Sequence, residues 1–254
     1  MIHQTKIENL PVFVYETRAE MGAAAAQRAG ELIRAVIASR GEANVIFAAA
    51  PSQNEMLDAL AAQDIDWGRV RAFQMDEYIG LDPAHPAGFG NYLRAHILDR
   101  LPFKEVCLLG SPGPGLAEQR CAQYAALLEE YPPDVILLGF GENGHLAFND
   151  PPVADFNDPK RVKIVELEER CRRQQVNDGC FASISQVPTH AMTLTMSLIM
   201  SVPAAVVTVP GPLKADAVKA ALTGPIETAC PASILRTHGN ARLFLDRDSA
   251  GEMI

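Results

Sequence analysis

Two short, almost uninterrupted apolar runs constrain the fold of this chain more than any other feature of its sequence. They are Asn44–Ala48 and Asp134–Phe140. Runs of this kind are typical of strands buried on both faces, as in a parallel sheet covered by helices. Other β-rich runs alternate with longer segments of helical pattern. The sequence therefore predicts an α/β protein with a doubly wound, mainly parallel sheet of a modified Rossmann-like kind.

The remaining predicted elements continue this alternation without an internal repeat or a long linker, so one domain spanning residues 1–254 is predicted. Further strands are predicted at Val12–Tyr15, Val70–Met75, Val106–Leu109, Val162–Val165, Ala204–Val209 and Ala241–Leu245. Helices are predicted at Ala19–Ser39, Asn54–Ala62, Gly90–Leu98, Leu116–Glu130, Ala191–Met200 and Leu213–Leu222. The segment Asn149–Lys160 is rich in proline and aspartate, and no helix is expected there.

The net charge of the chain limits the kinds of partner that we expect, and its cysteines bear on its location. The formal net charge is −9 and no broad basic face is evident, so neither nucleic acid nor an anionic membrane is expected as a partner. The N-terminal residues lack the basic, apolar and small-residue succession of a signal peptide, so none is expected. No apolar window reaches the roughly 18 residues that a membrane span needs. The five cysteines include no CxxC pair and suit neither zinc nor a disulfide framework. A cytoplasmic location is predicted.

Two polar segments follow predicted strands and carry candidate acid–base groups. Asn143, His145 and Asp150 lie together after the second apolar run. A histidine between an amide and a carboxylate can have its tautomer and its pKa set by these neighbours. Asp76 and Glu77 follow another strand, where a substrate would lie, so both are expected to contact it, and a carboxylate there could take a proton from carbon. A helix cap or a solvated turn is the alternative. Functional loops lie beyond the carboxyl ends of parallel strands, so an active site is predicted there.

The segment Gly139–Gly144 matches the GxGxxG pattern of dinucleotide sites, but the sequence after it does not predict the helix that such a site needs. Glycines such as Gly141 are instead expected to let the backbone approach a ligand and offer N–H donors. No HExxH motif or carboxylate cluster indicates a metal site. Chemistry without a metal or a cofactor is predicted.

An anionic substrate would need local positive groups in this acidic protein. Ser52 lies between a strand and a helix, where its hydroxyl and nearby N–H groups could bind a phosphate. Lys214 lies at a predicted helix start, where a lysine opposes the helix dipole unless an anion is bound. Arg172 could reach the same anion. Pairing of the arginines around it with Glu166 and Glu169 on a helix surface is the equal alternative.

The sequence resembles the glucosamine-6-phosphate deaminase (isomerase/deaminase) family, which shares its fold with 6-phosphogluconolactonases. Met75–Leu81 matches the family's MDEY-x-GL segment, and Gly141–Asn149 matches its G-x-D-G-H-x-A-F-N segment at all but one key place. The similarity extends from about Val12 to Leu245. The resemblance implies a cofactor-independent enzyme that converts an amino sugar 6-phosphate into a ketose 6-phosphate and ammonia. Assembly into a homo-oligomer is left open.

The resemblance also implies roles for individual residues. Asp76 resembles the base that moves a proton between C2 and C1 of the opened sugar, and His145 resembles the acid–base group that opens the pyranose ring. Three positions differ from the family pattern: Asn143 stands for an aspartate, Asp150 for a glutamate, and Ala49–Ser52 for the phosphate loop Thr-Gly-Gly-Thr. The proton-transfer half of the site is intact, and the ring-opening half is altered.

The same residues are compatible with two alternative functions. In a lactone hydrolase His145 would activate water, and Asp76 would be dispensable. In a non-catalytic sugar-phosphate sensor, the altered phosphate loop and Asn143 would reflect lost catalysis, whereas the retention of both Asp76 and His145 argues against that loss.

Overall fold

The computed structural model describes residues 1–251, and within that range an eight-stranded sheet forms the centre of the molecule. The order of its strands is β1-β2-β11-β10-β7-β3-β4-β6, with only β1 antiparallel to its neighbour. A second sheet has the order β5-β9-β8 and is antiparallel. The strands are β1 (His3–Ile7), β2 (Leu10–Tyr15), β3 (Ala43–Phe47), β4 (Val70–Gln74), β5 (Asp76–Tyr78), β6 (Glu105–Cys107), β7 (Val135–Leu138), β8 (Val162–Glu166), β9 (His190–Leu194), β10 (Ala204–Val209) and β11 (Ala241–Asp246).

Helices cover both faces of the main sheet, and the residues of β7 alternate between two hydrophobic clusters. Val135 and Leu137 pack in the cluster that includes the first two helices, whereas Ile136 and Leu138 pack in the opposite cluster. The helices are α1 (Arg18–Arg40), α2 (Asn54–Ala61), α3 (Phe89–Leu93), α4 (Ala117–Glu130), α5 (Glu169–Asn177), α6 (Met196–Ser201), α7 (Ala215–Thr223) and α8 (Arg247–Ala250). The prediction of an α/β protein with a mainly parallel, Rossmann-like sheet is confirmed. The apolar runs indicated it because a sheet covered by helices on both faces needs apolar side chains on both faces.

The order of the strands reverses between β3 and β7. From β3 the chain continues outward through β4 to β6, then returns to β7 and continues in the other direction through β10 to β11. The loops that follow β3 and β7 therefore diverge and leave a crevice at the carboxyl ends of these two strands. Ligands of open α/β sheets bind in a crevice of this kind.

The helix predicted at Ala191–Met200 is wrong over its first half. Its first residues belong to β9, the central strand of the small sheet, and α6 begins only at Met196 after the capping side chain of Thr195. Apolar residues follow one another here because β9 is buried, so helical and strand patterns could not be told apart. Strands β1 and β5 and helices α5 and α8 were not predicted from the sequence. The expectation of no helix between Asn149 and Lys160 is confirmed.

None of the helices within residues 1–251 combines the length and the apolar character that crossing a bilayer requires.

The packing of α1 predicts opposite effects for the same substitution at two glycines. A methyl group on Gly22 would lie 2.7 Å from the Glu55 carbonyl carbon and 2.9 Å from the Met56 nitrogen, so the α2 backbone would have to move. We expect Gly22→Ala to lower the free energy of unfolding by about 1–3 kcal/mol. At Gly30 the methyl group would meet only the flexible ends of side chains, chiefly that of Gln63, and Gly30→Ala is expected to be neutral or to stabilise by up to about 1 kcal/mol. Urea unfolding of both variants measures this, and equal effects would contradict the packing argument.

Candidate active site

A cavity of about 290 Å³ lies at the carboxyl ends of the central strands. The loops that follow β3, β4, β7 and β10 all contribute to its wall, and α5 with the turn after it covers one side. Its polar lining side chains are Ser52, Gln53, Asp76, Tyr92, His145, Gln174, Gln175, Asp178 and Lys214. The cavity therefore occupies the crevice between the diverging loops of β3 and β7, as the strand order predicts.

The loop that carries His145 is held in an unusual conformation by contacts with β9. Gly144 has φ +79°, and Ala147 has φ +51°, a region that alanine seldom adopts. The side chain of Asn149 donates to the carbonyls of Leu146 and Leu194, at 2.9 and 2.8 Å. These buried bonds offset the strain at Ala147, which itself lines the cavity.

Strand β9 also joins the two candidate catalytic loops. Thr193 pairs with Asp76 across the small sheet, and its hydroxyl accepts a hydrogen bond of 3.0 Å from the Phe148 backbone nitrogen. Asp76 and His145 both line the cavity. Thr193 and Asn149 thus fix the relative position of these two groups, and the sequence analysis assigned neither residue a role.

His145 lies in a network of polar side chains. Its Nδ1 is 2.7 Å from Oδ1 of Asn143 and 3.0 Å from Oδ1 of Asp150. The Asn143 amide nitrogen donates to Asp150 Oδ1 at 2.9 Å and to Glu168 Oε2 at 3.0 Å. The structure therefore brings together the three predicted residues and adds Glu168, which the sequence analysis did not single out.

The pKa of Asp150 is lower than its burial alone would make it. Burial opposes the charged form, but the hydrogen bond and the positive charge that His145 offers, together with bonds from Asn143 and Cys171, hold the pKa of Asp150 below its ordinary value. A buried carboxylate of this kind can stabilise a protonated imidazole beside it. Asp150 can thus supply the negative charge that Asn143 lacks.

Asp76 has the opposite environment. Its side chain is 7% exposed, and burial together with the charge of Glu77 raises the pKa of Asp76 well above the ordinary aspartate value. A carboxylate that is poorly solvated is a stronger base once it is ionised. Asp76 therefore has the chemistry of a proton acceptor facing the cavity.

Glu77 was predicted to contact the substrate, but the structure places it elsewhere. Its carboxylate accepts hydrogen bonds from the backbone nitrogens of Tyr78, Phe89 and Gly90 and from the side chain of Gln74. Glu77 is 3% exposed and does not line the cavity. Its negative charge stabilises the start of α3, where unpaired N–H groups attract an anion, so we correct its predicted role.

The two predicted anion ligands that lie in the cavity are Ser52 and Lys214. Gln53 bonds both to Ser52 Oγ and to Thr208 of β10, which ties the loop after β3 to the neighbouring strand. Lys214 directly precedes α7 and is 9% exposed, and burial lowers the pKa of its ammonium group. Within residues 1–251 the ammonium forms no salt bridge, although the charges of Asp178 and Glu142 favour its charged form. A bound anion would compensate its burial further.

The structure does not bring Arg172 to the cavity. Its guanidinium donates to the carbonyls of Ile184 and Val187, at 2.8 and 2.9 Å, and fastens that turn to α5. Its neighbour Arg173 pairs with Glu169 four residues earlier, as the alternative interpretation expected. The predicted contact of Arg172 with an anion is corrected for this reason.

His145, Asp150 and Cys171 each offer a metal-ligating atom, and these atoms lie within 4.8 Å of one another. Burial, followed by the charge of Asp150, raises the pKa of the Cys171 thiol well above its ordinary value. The hydrogen bonds of Asn143 and Asp150 also occupy His145 Nδ1. The group is better suited to proton transfer than to metal binding, and metal-free chemistry stays a prediction.

Comparison with known proteins shows the family of this chain. The chain belongs to the glucosamine-6-phosphate isomerase/6-phosphogluconolactonase family, whose model matches residues 16–244. A glucosamine-6-phosphate deaminase from Listeria monocytogenes is 32% identical over 228 residues, which cover 89% of this chain and 94% of that protein. One from Bacillus cytotoxicus is 32% identical over 219 residues, covering 86% and 81% of the two chains.

Solved structures show the same fold. A monomeric glucosamine-6-phosphate deaminase superposes with a TM-score of 0.85 and 26% identity, covering 94% of this chain and 98% of that one. The 6-phosphogluconolactonase from Trypanosoma brucei superposes with a TM-score of 0.78 at 19% identity, covering 99% and 100% of the two chains. The second similarity is evidence for the fold alone.

The close packing of His145 against Gly141 gives a test of the site. A methyl group on Gly141 would overlap the imidazole ring, which must then leave its place beside Asn143 and Asp150. We expect Gly141→Ala to lower the rate of substrate turnover at least about 100-fold, the lower range for a lost acid–base group, and circular dichroism shows whether the variant is folded. Gly113→Ala, where a methyl group meets no atom within 4 Å, is the control. Full activity of Gly141→Ala would contradict the assigned position of the imidazole.

Proposed function

We propose that this protein converts an amino sugar 6-phosphate, glucosamine 6-phosphate or a close relative, into a ketose 6-phosphate and ammonia. The observation that carries the proposal is that Asp76 and His145 line one cavity, at the place where the strand order reverses between β3 and β7. Contacts with β9 join the two loops that carry them. Relatives that are about one third identical over most of this chain are named as glucosamine-6-phosphate deaminases. The protein is accordingly an enzyme of carbohydrate metabolism that acts on a sugar phosphate.

In the proposed reaction His145 first opens the pyranose ring by moving the proton of the C1 hydroxyl to the ring oxygen. Asp76 then removes the proton from C2 of the open-chain aldose and returns a proton to C1. As the C2 proton leaves, a C1=C2 double bond replaces the C=O bond, and one proton of the ammonium group passes to the C1 oxygen. Protonation of C1 then leaves a hydroxyl on C1 and an iminium carbon at C2. Water adds to this carbon, a proton passes from the added oxygen to nitrogen, ammonia leaves, and a C2 ketone remains. The steps are proton transfers, a water addition and an elimination, so no redox partner is needed.

The electrostatics of the cavity favour this sequence of steps. The ammonium group of the substrate makes the C2 proton more acidic, and the poorly solvated carboxylate of Asp76 is a strong acceptor for it. Burial has desolvated Lys214, so a phosphate oxygen gains more from this ammonium than from one in bulk water. Ser52 and backbone N–H groups near it complete the proposed phosphate site.

The cytoplasmic location is also a proposal, and the five free cysteine thiols support it because such thiols persist in a reducing compartment. The oligomeric state of this chain is left open; a solved deaminase of similar fold is described as monomeric. Sedimentation of the purified chain at several concentrations measures its oligomeric state.

The proposed reaction predicts two linked signals from the purified protein. Glucosamine 6-phosphate or its galacto isomer should yield ammonia in water, and recovered substrate or product should contain deuterium after turnover in D₂O. Asp76→Asn removes the acceptor and is expected to lower both signals by about 10²–10⁴-fold. An enzymatic ammonia assay and proton NMR measure them.

Other outcomes of this experiment would identify the alternatives. Hydrolysis of 6-phosphogluconolactone that survives Asp76→Asn, without ammonia from either sugar, would establish a lactonase. Binding of the sugars by wild-type protein with neither signal would establish a sensor. Either result overturns the proposed deamination.

The buried position of Asp76 predicts an unusual titration. Because folding raises the pKa of Asp76, ionisation opposes folding, and stability is lost as pH rises from the unfolded value near 3.8 through the folded pKa. Asp76→Asn should therefore be more stable than wild type at pH 7, with the gap closing in acid. Urea unfolding at pH 4 and pH 7 measures the difference, and carbon-13 NMR follows the carboxyl directly. Ordinary titration of Asp76 near pH 3.8 would contradict its assigned environment.

A further inference from the structure

The amide of Asn143 can adopt only one orientation without electrostatic conflict. Its nitrogen faces two carboxylates, Asp150 and Glu168, and its oxygen faces the backbone nitrogen and Nδ1 of His145, at 3.1 and 2.7 Å. Rotating the amide by 180° would place a carbonyl oxygen against two carboxylates and an NH₂ group against the His145 backbone N–H. Two anions thus define which end of Asn143 faces the histidine.

This orientation determines the tautomer of His145. An amide oxygen can only accept a hydrogen bond, and the carboxylate of Asp150, which is also close to Nδ1, can only accept one when it is ionised. The proton of a neutral His145 is therefore on Nδ1, and Nε2 is an unprotonated base available to the cavity. A base that must take a proton from a sugar hydroxyl needs this tautomer.

We propose that Glu168 is a positioning residue for His145 and acts through Asn143. Asn143 is neutral, so it cannot by itself attract a proton to Nδ1 as a carboxylate would. The charge of Glu168 polarises the amide and opposes its rotation, which makes the Asn143 oxygen a fixed acceptor. Glu168 does not line the cavity and has no contact with the reacting atoms. The kinetic consequences rest on the proposed function, whereas the tautomer does not.

A merely structural role for Glu168 would have different consequences. The Glu168 backbone carbonyl accepts a hydrogen bond from the Arg172 backbone nitrogen in the first turn of α5, so the residue also lies at the start of that helix. If only this backbone contact mattered, changing the side chain would leave the histidine tautomer unaffected. Changing the Glu168 side chain would also have the same effect on kcat whichever residue is at position 143.

The first test is nitrogen-15 NMR of histidine-labelled protein, with the His145 signal assigned from its loss in His145→Gln. We expect wild-type His145 to be the Nδ1–H tautomer. Glu168→Gln should raise the fraction of the Nε2–H form, because Asp150 is then the one carboxylate next to the amide that still opposes rotation of Asn143. Glu166→Gln is the matched control, since Glu166 lies two residues away and is exposed. An Nε2–H tautomer in wild type, or no change in Glu168→Gln, overturns the proposal.

The second test measures the effect of Glu168→Gln on kcat in two backgrounds, in which we expect effects of opposite sign. Asn143→Asp places a third carboxylate between Asp150 and Glu168, and the repulsion disfavours it. Glu168→Gln should lower kcat about tenfold in the wild-type background, the scale of one hydrogen bond to a charged group, with KM unchanged. In the Asn143→Asp background Glu168→Gln should instead raise kcat, because the amide that it introduces can donate a hydrogen bond to the new carboxylate. Equal effects in both backgrounds overturn the proposal.

These measurements separate the two claims. If no variant and no wild-type protein releases ammonia, the proposed function fails, while the NMR result still decides the role of Glu168. If ammonia is released but the tautomer is unchanged in a folded Glu168→Gln protein, the inference about Glu168 fails alone. Circular dichroism and the unfolding midpoint establish that each variant is folded.

Discussion

The parallel pairing of β3 with β7 at the centre of the main sheet determines where the chemistry of this protein takes place. Both strands are fully buried, and the chain leaves them in opposite directions, outward to β4 and β6 on one side and to β10 and β11 on the other. Their loops must separate, so a crevice opens where backbone N–H groups and polar side chains can meet a ligand. The position of the cavity follows from strand order before any side chain is considered.

Asp76, which lines that crevice, and Asp150, which lies buried behind His145, have environments that separate their pKa values. The pKa of Asp76 is raised by burial and by Glu77, whereas hydrogen bonds from His145, Asn143 and Cys171 hold the pKa of Asp150 low despite burial. Paired titratable groups with opposite shifts are a recurring way to divide acid and base roles. Asp76 is suited to accept a proton from carbon, and Asp150 is suited to keep the histidine oriented and its protonated form stable.

The sequence was sufficient to predict the sheet class, most of the strands and the meeting of Asp76 with His145, because buried parallel strands have a clear apolar pattern and their loops converge. It was insufficient for β9, since a buried strand and a buried helix are both apolar over a few residues. Arg172 and Glu77 were misplaced for a related reason. A charged side chain near a site can serve backbone carbonyls or N–H groups as readily as a ligand, and only the tertiary contacts distinguish the two. Glu168 has no sequence signal at all, because its importance comes from Asn143, 25 residues earlier.

A crystal structure with the reduced, open-chain form of the amino sugar phosphate would show directly whether the proposed site binds it. We expect the sugar to occupy the crevice between the loops of β3 and β7, with its phosphate against Ser52 and Lys214. The carboxylate of Asp76 should lie within hydrogen-bonding distance of the C1–C2 end, and Nε2 of His145 should face the oxygen derived from the ring. A ligand bound elsewhere, or bound in the crevice with its C1–C2 end remote from Asp76, would contradict the account.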